Sequence, residues 1–321
     1  MKELKILAVV VFFALLTYWG VEPFAHSKMH KHVEGNNFVY NGKADIEEAK
    51  ADKKKAKEAF WADVAKIAKL KGDPKAGEAV FGMCLGCHNG AGVNMGGVVP
   101  PSLDHAGSLY DKNYLIALVK DPAMASNVDH KYADTMTHPM GAIKTMVTEP
   151  QQIADVVAYI LKNKAGEITP KEAFVDACGR CHANRYGKWT QAGFVPKTKS
   201  DIKTGQDIEL LKFKQKVAKE QMTVAGYMGK LPPDLSIIIR ARSEEFLETF
   251  VENPQSQLPG TAMPRTGLTK EGYEKVVEYL EETGDPSAKA RSALGVKVIG
   301  FFVIFTLLAY LWKKSVWKKL H

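Results

Sequence analysis

Two short segments contain all four cysteines of the chain, in the same arrangement each time. Residues 84–90 read CLGCHNG and residues 178–184 read CGRCHAN, so two cysteines separated by two residues are followed directly by a histidine. Cysteine pairs at this spacing form disulfides, catalyse dithiol exchange, bind metal ions or attach a group covalently. The chemistry has to account for both copies and for the lack of any further cysteine.

Zinc binding and thioredoxin-like exchange fit this pattern less well than covalent attachment. A structural zinc site usually takes its ligands from neighbouring segments, whereas these two pairs lie in separate parts of the chain. A thioredoxin-like motif needs a strand leading into it, but KAGEAVFGMCLGCH and TPKEAFVDACGRCH both look like helices that carry the cysteines. Disulfides are the general alternative in an oxidising compartment.

The remaining chemistry is covalent attachment of c-type haem, whose signature is C-x-x-C-H. Two thiols about one helical turn apart can each add across one vinyl group of the porphyrin, and the next residue then presents its imidazole to the iron. We therefore predict two covalently bound haem c groups. They are attached by Cys84 and Cys87 and by Cys178 and Cys181, with His88 and His182 as proximal iron ligands.

The sequence that follows each motif is also repeated. VPPSL (99–103) and LPPDL (231–235) are each followed, at equal distance, by a further proline in YLIALVKDP and FLETFVENP. Each copy closes with apolar residues at helical spacing, in IADVVAYILKNK and YEKVVEYLEETG. Such a repeat indicates two domains of one fold. A carbonyl of the proline-rich turn is expected to accept a hydrogen bond from Nδ1 of the proximal histidine.

The sixth iron ligand of each haem is expected to be a methionine, because Met/His ligation gives a high reduction potential. Met263, in PGTAMPRTGL, is the candidate in the second domain, and Met140, in HPMGAIK, is the candidate in the first, with Met136 next. The same stretch offers further candidates, which are Met124, Met146, His130 and His138. The methionines that are not ligands are expected to be ordinary core residues.

Both ends of the chain are apolar enough to enter a membrane. Residues 6–21 (ILAVVVFFALLTYWGV) follow a short basic start, and residues 293–312 (ALGVKVIGFFVIFTLLAYLW) are followed by the basic, aromatic tail KKSVWKKLH. The first segment lacks an A-x-A cleavage site, so an uncleaved anchor is preferred over a removed signal peptide. The positive-inside rule predicts cytoplasmic termini and a periplasmic central region.

Charge is modest and uneven, with a net value of +8. No dense basic stripe is present, which argues against nucleic-acid binding.

Residues 44–74 are expected to form one long packing helix. A lysine-rich insertion between His182 and Pro232 is most simply a solvated face, although a basic face beside a haem can also steer an acidic partner.

Three stretches carry a family resemblance. The run GKLPPDLSIIIRAR (229–242) and the C-terminal tail RSALGVKVIGFFVIFTLLAYLWKKSVWKKLH resemble cytochrome c1 of the quinol:cytochrome c oxidoreductase (bc1) complexes, and HVEGNNFVYNG (32–42) is weakly similar to that family. Both repeats are similar to class I cytochromes c. The extra domain and the N-terminal anchor resemble the dihaem cytochrome c1 of some bacteria, including the epsilon-proteobacterial type. The resemblance implies that Arg242, or less well Arg240, contacts a haem propionate, although the histidine-glycine run that follows in the family is absent here.

The expected fold is mainly α, with two class I cytochrome c domains in tandem and a transmembrane helix at each end. The expected boundaries are 1–24 for the first anchor, 25–72 for a linker and charged helix, 73–165 and 166–285 for the two cytochrome domains, and 286–321 for the second anchor and tail.

The resemblance implies an electron-transfer subunit of a bc1 complex rather than an enzyme in its own right. Electrons would pass from a Rieske iron-sulfur protein to a periplasmic cytochrome c or a terminal oxidase, with cytochrome b as a further partner in the bacterial inner membrane. Two alternatives stay open: the dihaem subunit of a cbb3-type oxidase or another membrane-anchored dihaem cytochrome, and, less favoured, a dihaem peroxidase, which needs an exchangeable iron site.

Overall fold

The computed structural model describes residues 2–29, 35–89, 99–132, 137–197 and 208–318. The chain forms two compact units. The first consists of Met1–Asn89, Leu103–Gly166 and Glu245–Lys270, and the second of Gly90–Ser102, Glu167–Glu244 and Glu271–His321. The described residues are mainly helical, which confirms the expected fold class at that level; their only strands are the antiparallel pair Trp189–Thr190 and Gly193–Phe194.

The first unit is built around two helices, Pro74–His88 and Pro150–Asn163. The first of them starts at Pro74, because proline is favoured in the first turn of a helix and the Asp73 carboxylate caps it by accepting a hydrogen bond from the Lys75 amide. The two helices approach closely at Gly77, where an added Cβ would lie 2.0 Å from the Asp155 carbonyl oxygen.

An aromatic pair fixes the same helix crossing. The rings of Phe81 and Tyr159 lie 4.9 Å apart at a tilt of 40°, and Phe81 is buried. The remaining helices of this unit are mostly short. They are Lys43–Glu47, Ala51–Ala68, Ala106–Leu109, Lys112–Lys120, Pro122–Ala125, Ile143–Met146 and Pro254–Gln257, together with Glu244–Glu252, whose first residue belongs to the second unit.

The expected single helix over 44–74 is wrong. The chain instead forms Lys43–Glu47 and Ala51–Ala68 with a break between them. The break lets the Asp45 carboxylate fold back and accept a hydrogen bond from Trp61 Nε1 at 2.9 Å. In one straight helix these residues would be about 24 Å apart along the axis.

Residues 245–270 pack with the first unit, although the sequence repeat grouped them with the second domain. Backbone hydrogen bonds join Thr269 N to Leu109 O and Asp111 N to Gly267 O. The second part of the first unit ends at Gly166, and the expected domain boundaries stay predictions. The units are therefore not two consecutive stretches of chain.

The second unit has an aromatic pair with nearly the same ring distance as Phe81–Tyr159. Helix Pro170–Ala177 begins with a capping box between Thr169 and Glu172. Its Phe174 ring packs 5.0 Å from Tyr279, on helix Lys270–Gly284, at a tilt of 36°. Further helices of this unit are Ile208–Met228, Ile238–Ala241 and Ala288–Lys318.

Two helical stretches are long and apolar enough to cross a membrane, Glu3–Ala25 and Ala290–Lys318. The first runs through helix Lys2–Leu16, a π-helical turn at Thr17–Val21 and helix Glu22–Met29. Neither stretch buries its apolar surface within the chain. Both are consistent with membrane anchoring, as the two ends of the sequence predicted.

Candidate haem sites

The first motif lies at the end of a regular helix. Cys84, Cys87 and His88 occupy the last turns of Pro74–His88, and the i, i+3, i+4 spacing places them on one face. Between the cysteines, an added Cβ at Gly86 would meet no atom within 4 Å. Burial raises the pKa of the Cys84 thiol.

The second motif lies just after the end of a helix rather than within it. Helix Pro170–Ala177 ends before Cys178, and the Cys181 and His182 amides then both donate to the Cys178 carbonyl, at 3.2 and 3.0 Å. The turn is closed by Trp189, whose Nε1 donates to the Gly179 carbonyl at 2.8 Å. Gly179 is required there, since a Cβ would lie 2.7 Å from Trp189 Nε1.

Burial raises the pKa of the Cys178 thiol to about 12, and the neighbouring Cys181 adds to the shift. Redox-active C-x-x-C pairs have the opposite property, a lowered thiol pKa. All four cysteines are described and none is in a disulfide. Among the described residues, no three His, Cys, Asp or Glu side chains converge as ligands of one metal ion.

The His182 ring is oriented by the proline-rich turn, as the sequence predicted. Its Nδ1 lies 2.8 Å from the Pro233 carbonyl oxygen. Because a carbonyl only accepts, Nδ1 carries the proton and Nε2 keeps its lone pair. The turn is itself held beside the motif by the Leu235 amide, which donates to the Ala183 carbonyl at 2.8 Å.

Burial lowers the pKa of His182, and the hydrogen bond to Pro233 opposes part of that shift. A neutral imidazole fixed through its other ring nitrogen is the usual form of a metal-ligating histidine. The second motif therefore fits a covalent haem with His182 as proximal ligand. The corresponding hydrogen bond of His88 stays a prediction.

Met140 lies in a turn of the first unit, just before helix Ile143–Met146. Its backbone amide donates to His138 Nδ1 at 3.1 Å, and the His138 ring packs against Tyr132 at 4.8 Å. Burial lowers the pKa of His138 to about 4, which keeps the ring a neutral acceptor. Met140 is half-buried, and its role as ligand stays a prediction; Met136 lies outside the described residues.

Met263 lies in the loop between helices Pro254–Gln257 and Lys270–Gly284, and its amide donates to Thr261 Oγ1 at 3.2 Å. It belongs to the first unit, whereas Cys178, Cys181 and His182 belong to the second. The structure thus brings together the three residues within each motif, and the pairing of Met263 with His182 stays a prediction.

Two residues after Met263, Arg265 forms a buried ion pair that the sequence did not predict. Its guanidinium contacts both carboxylate oxygens of Asp45 and donates to Asn253 Oδ1 at 3.2 Å. The two side chains are 5% and 2% exposed. The Arg265 amide also donates to the Ser126 carbonyl at 2.9 Å. These contacts fix the loop of Met263 within the first unit.

The N-terminal segment adds a second buried contact to residues 245–270. The Glu252 carboxylate accepts hydrogen bonds from the amides of Asn36, at 2.8 Å, and Phe38, at 2.9 Å. Burial raises the pKa of Glu252. Nothing in the local sequence marks Glu252 or Asp45 as buried, since both stand in charged, helix-like stretches.

Arg242 caps the short helix Ile238–Ala241 and is exposed, as is Arg240. The propionate contact implied for Arg242 stays a prediction.

Comparison with known families divides the chain into two recognisable parts. Residues 74–164 match the family described as Cytochrome c, and residues 266–320 match the Cytochrome C1 family. The first match contains Cys84, Cys87, His88 and Met140. The second begins just after Arg265 and includes the C-terminal apolar helix.

Two individual proteins are similar to this chain at low sequence identity. The ammonia monooxygenase gamma subunit of Nitrosomonas europaea is 27% identical over 194 residues, covering 47% of this chain and 81% of that protein. A chain of a hyperthermophilic respiratory Complex III is 28% identical, covers 47% of this chain and 75% of its own length, and superposes with a TM-score of 0.36.

The family match over residues 74–164 establishes a cytochrome c domain, which implies covalently bound haem c. The match at the C-terminal end adds a cytochrome c1-like portion with a membrane helix. Together they support a cytochrome c1-like chain that carries electrons.

Proposed function

We propose that this chain is the dihaem cytochrome c1 subunit of a bacterial bc1 complex, of the kind found in epsilon-proteobacteria. The haems supply a one-electron ferric/ferrous couple. Each pair of cysteines anchors one haem and the adjacent histidine ligates its iron. Met140 and Met263 are the proposed distal ligands, and Arg242 the proposed partner of a propionate.

The hydrogen bond from His182 to Pro233 is the observation that carries the dihaem part of this proposal. The second motif lies outside the part of the chain that matches the Cytochrome c family, residues 74–164. Nevertheless it has the buried, neutral and oriented histidine that a proximal ligand requires. The Phe174–Tyr279 pair beside it has nearly the same ring distance as Phe81–Tyr159 in the first unit. Two class I cytochrome c domains account for both similarities.

In this proposal electrons reach the chain from a Rieske iron-sulfur protein after quinol oxidation at cytochrome b. They leave for a soluble periplasmic cytochrome c or a terminal oxidase. The haem-carrying regions face the periplasm and both termini face the cytoplasm; the basic start MKELK and above all the basic tail KKSVWKKLH support this orientation. The Cytochrome C1 match at residues 266–320 favours this complex over a cbb3-type oxidase.

Haem counting tests the dihaem proposal directly. The purified chain, denatured and extracted with acidified acetone, should retain two haems per polypeptide, and the variant with Cys178→Ala and Cys181→Ala should retain one.

The variant Met263→His tests the ligand of the second haem. It should lower the reduction potential of one haem, on the order of 0.1–0.3 V within the roughly 0.8 V range set by axial ligands. It should also abolish the sulfur-to-iron charge-transfer band of that haem.

A wild-type chain with one haem would contradict the dihaem proposal, and unchanged potentials in Met263→His would exclude Met263 as a ligand. Met140→His gives the matched test for the first haem. Co-purification of cytochrome b and a Rieske protein with the tagged chain, together with quinol-dependent reduction of its haems, tests the assignment to a bc1 complex.

A further inference from the structure

Helix Ile208–Met228 of the second unit has two different faces. Its 21 residues span about 31 Å. Val224 is buried, and Phe213 and Val217 are half-buried, so this face packs on the unit. The other face is exposed, and it carries large apolar side chains: Leu211 is 48% exposed and Met222 is 76% exposed.

The exposed face has an apolar row flanked by lysines. Leu211, Ala218 and Met222 fall at i, i+7 and i+11, so they line up along the helix together with Gln215. The lysines beside this row are all exposed. Lys212, Lys216 and Lys219 form an adjacent row, and Lys214 lies on the opposite flank.

This helix is connected to the second motif by two consecutive hydrogen bonds. Gln221 Nε2 donates to Gln191 Oε1 at 3.2 Å, and Gln191 Nε2 donates to the Cys181 carbonyl at 3.1 Å. Gln191 lies in the turn of the hairpin Trp189–Thr190 and Gly193–Phe194. These bonds attach the C-terminal half of the helix to the part of the second unit that contains the second motif, and they leave the row of Leu211, Ala218 and Met222 exposed.

We propose that the lysine-flanked row of Ile208–Met228 is a docking surface for an acidic, soluble c-type cytochrome that takes electrons from this chain. The inference rests on the proposed function, in that the second motif must carry a haem. An apolar centre with a charged rim is the usual anatomy of a protein interface. Clustered lysines raise the encounter rate of an acidic partner. One electron passes from the reduced chain to the oxidised cytochrome, and no bond or proton moves.

Stopped-flow mixing tests this surface. The full-length chain with both haems is reduced, freed of reductant and mixed with an oxidised acidic soluble cytochrome c at increasing salt. The variant Lys212→Glu, Lys216→Glu, Lys219→Glu should react about tenfold or more slowly at low salt, and its rate should depend less on salt. With a basic cytochrome c the same variant should not be slowed.

The matched control is Lys54→Glu, Lys55→Glu, Lys69→Glu, which changes the net charge equally on exposed positions of the first unit. Its rate should stay within about twofold of wild type, because a steering effect depends on where the charge lies. Equal slowing of both variants would show a general charge effect and overturn the proposal. So would an unchanged rate in the Ile208–Met228 variant.

Two further outcomes would also overturn it. If only quinol-driven reduction of the chain within the complex is slowed, the helix docks an electron donor. If the helix gains hydrogen-exchange protection in an anionic bilayer without any cytochrome, it lies on lipid. Haem content is measured on every variant, so loss of the second haem, which contradicts the proposed function, is distinguished from loss of docking.

Discussion

At the scale of single residues, His182 and Arg265 are fixed by different kinds of contact. The His182 ring is held by a backbone carbonyl from the proline-rich turn, a contact that follows from the repeat of VPPSL and LPPDL. Arg265 is held by a side chain 220 residues away, Asp45. Only the first contact belongs to a pattern that the sequence displays.

The Asp45–Arg265 pair predicts a large loss of stability when one partner is removed. Asp45→Asn or Arg265→Met should each lower the free energy of unfolding of the first unit by about 3–5 kcal/mol, because the remaining charge is buried without its partner. Arg265→Met would also remove the donor to Asn253 Oδ1. Chemical denaturation of the chain in detergent, followed by haem absorbance, measures this loss.

The control for this prediction is an exposed ion pair of the same unit. Lys66 pairs with Asp63 and its side chain is 77% exposed, so Lys66→Gln should change stability by less than about 1 kcal/mol. If Asp45→Asn costs no more than Lys66→Gln, the buried pair contributes nothing to holding residues 245–270.

At the scale of elements, the crossing of Pro74–His88 and Pro150–Asn163 depends on one missing side chain. Gly77→Ala would place a methyl group 2.0 Å from the Asp155 carbonyl oxygen, an atom of the opposing backbone. The helices must then separate, and we expect a loss of about 1–3 kcal/mol from overpacking. Thermal unfolding followed by haem absorbance measures it.

The same helix offers a matched control, since an added Cβ at Gly82 meets nothing within 4 Å. Gly82→Ala should be neutral or should stabilise by up to about 1 kcal/mol through helix propensity. Equal destabilisation by the two substitutions would show that the helix tolerates no alanine, and the close crossing would not be the cause.

An element can be predicted from the sequence when the residues that stabilise it are close together along the chain. The motif helices follow from residues close together, such as Asp73 and Pro74 or Thr169 and Glu172. The break between helices Lys43–Glu47 and Ala51–Ala68 cannot be predicted from nearby residues, because it depends on contacts between Asp45 and residues distant in sequence. Likewise, residues 245–270 repeat the pattern of the first domain, yet long-range hydrogen bonds to the first unit decide where they pack.

For the molecule as a whole, the two apolar stretches predict attachment at both ends. A chain lacking Ala290–Lys318 should stay in the membrane fraction after alkaline carbonate washing, because Glu3–Ala25 is long enough to span on its own. The mass of the mature protein should include residues 2–29. A truncated chain found in the soluble periplasmic fraction, with a mass lacking those residues, would show that the first stretch is a removed signal peptide.

The three-part make-up of the first unit has a consequence for the order of assembly in the cell. Its last part, Glu245–Lys270, is synthesised after the whole stretch from Glu167 to Glu244. The first unit therefore cannot be completed before Cys178 and Cys181 have also been synthesised. Both cysteine pairs are synthesised while the first unit still lacks Arg265, so each pair first exists in a chain whose first unit is not yet closed.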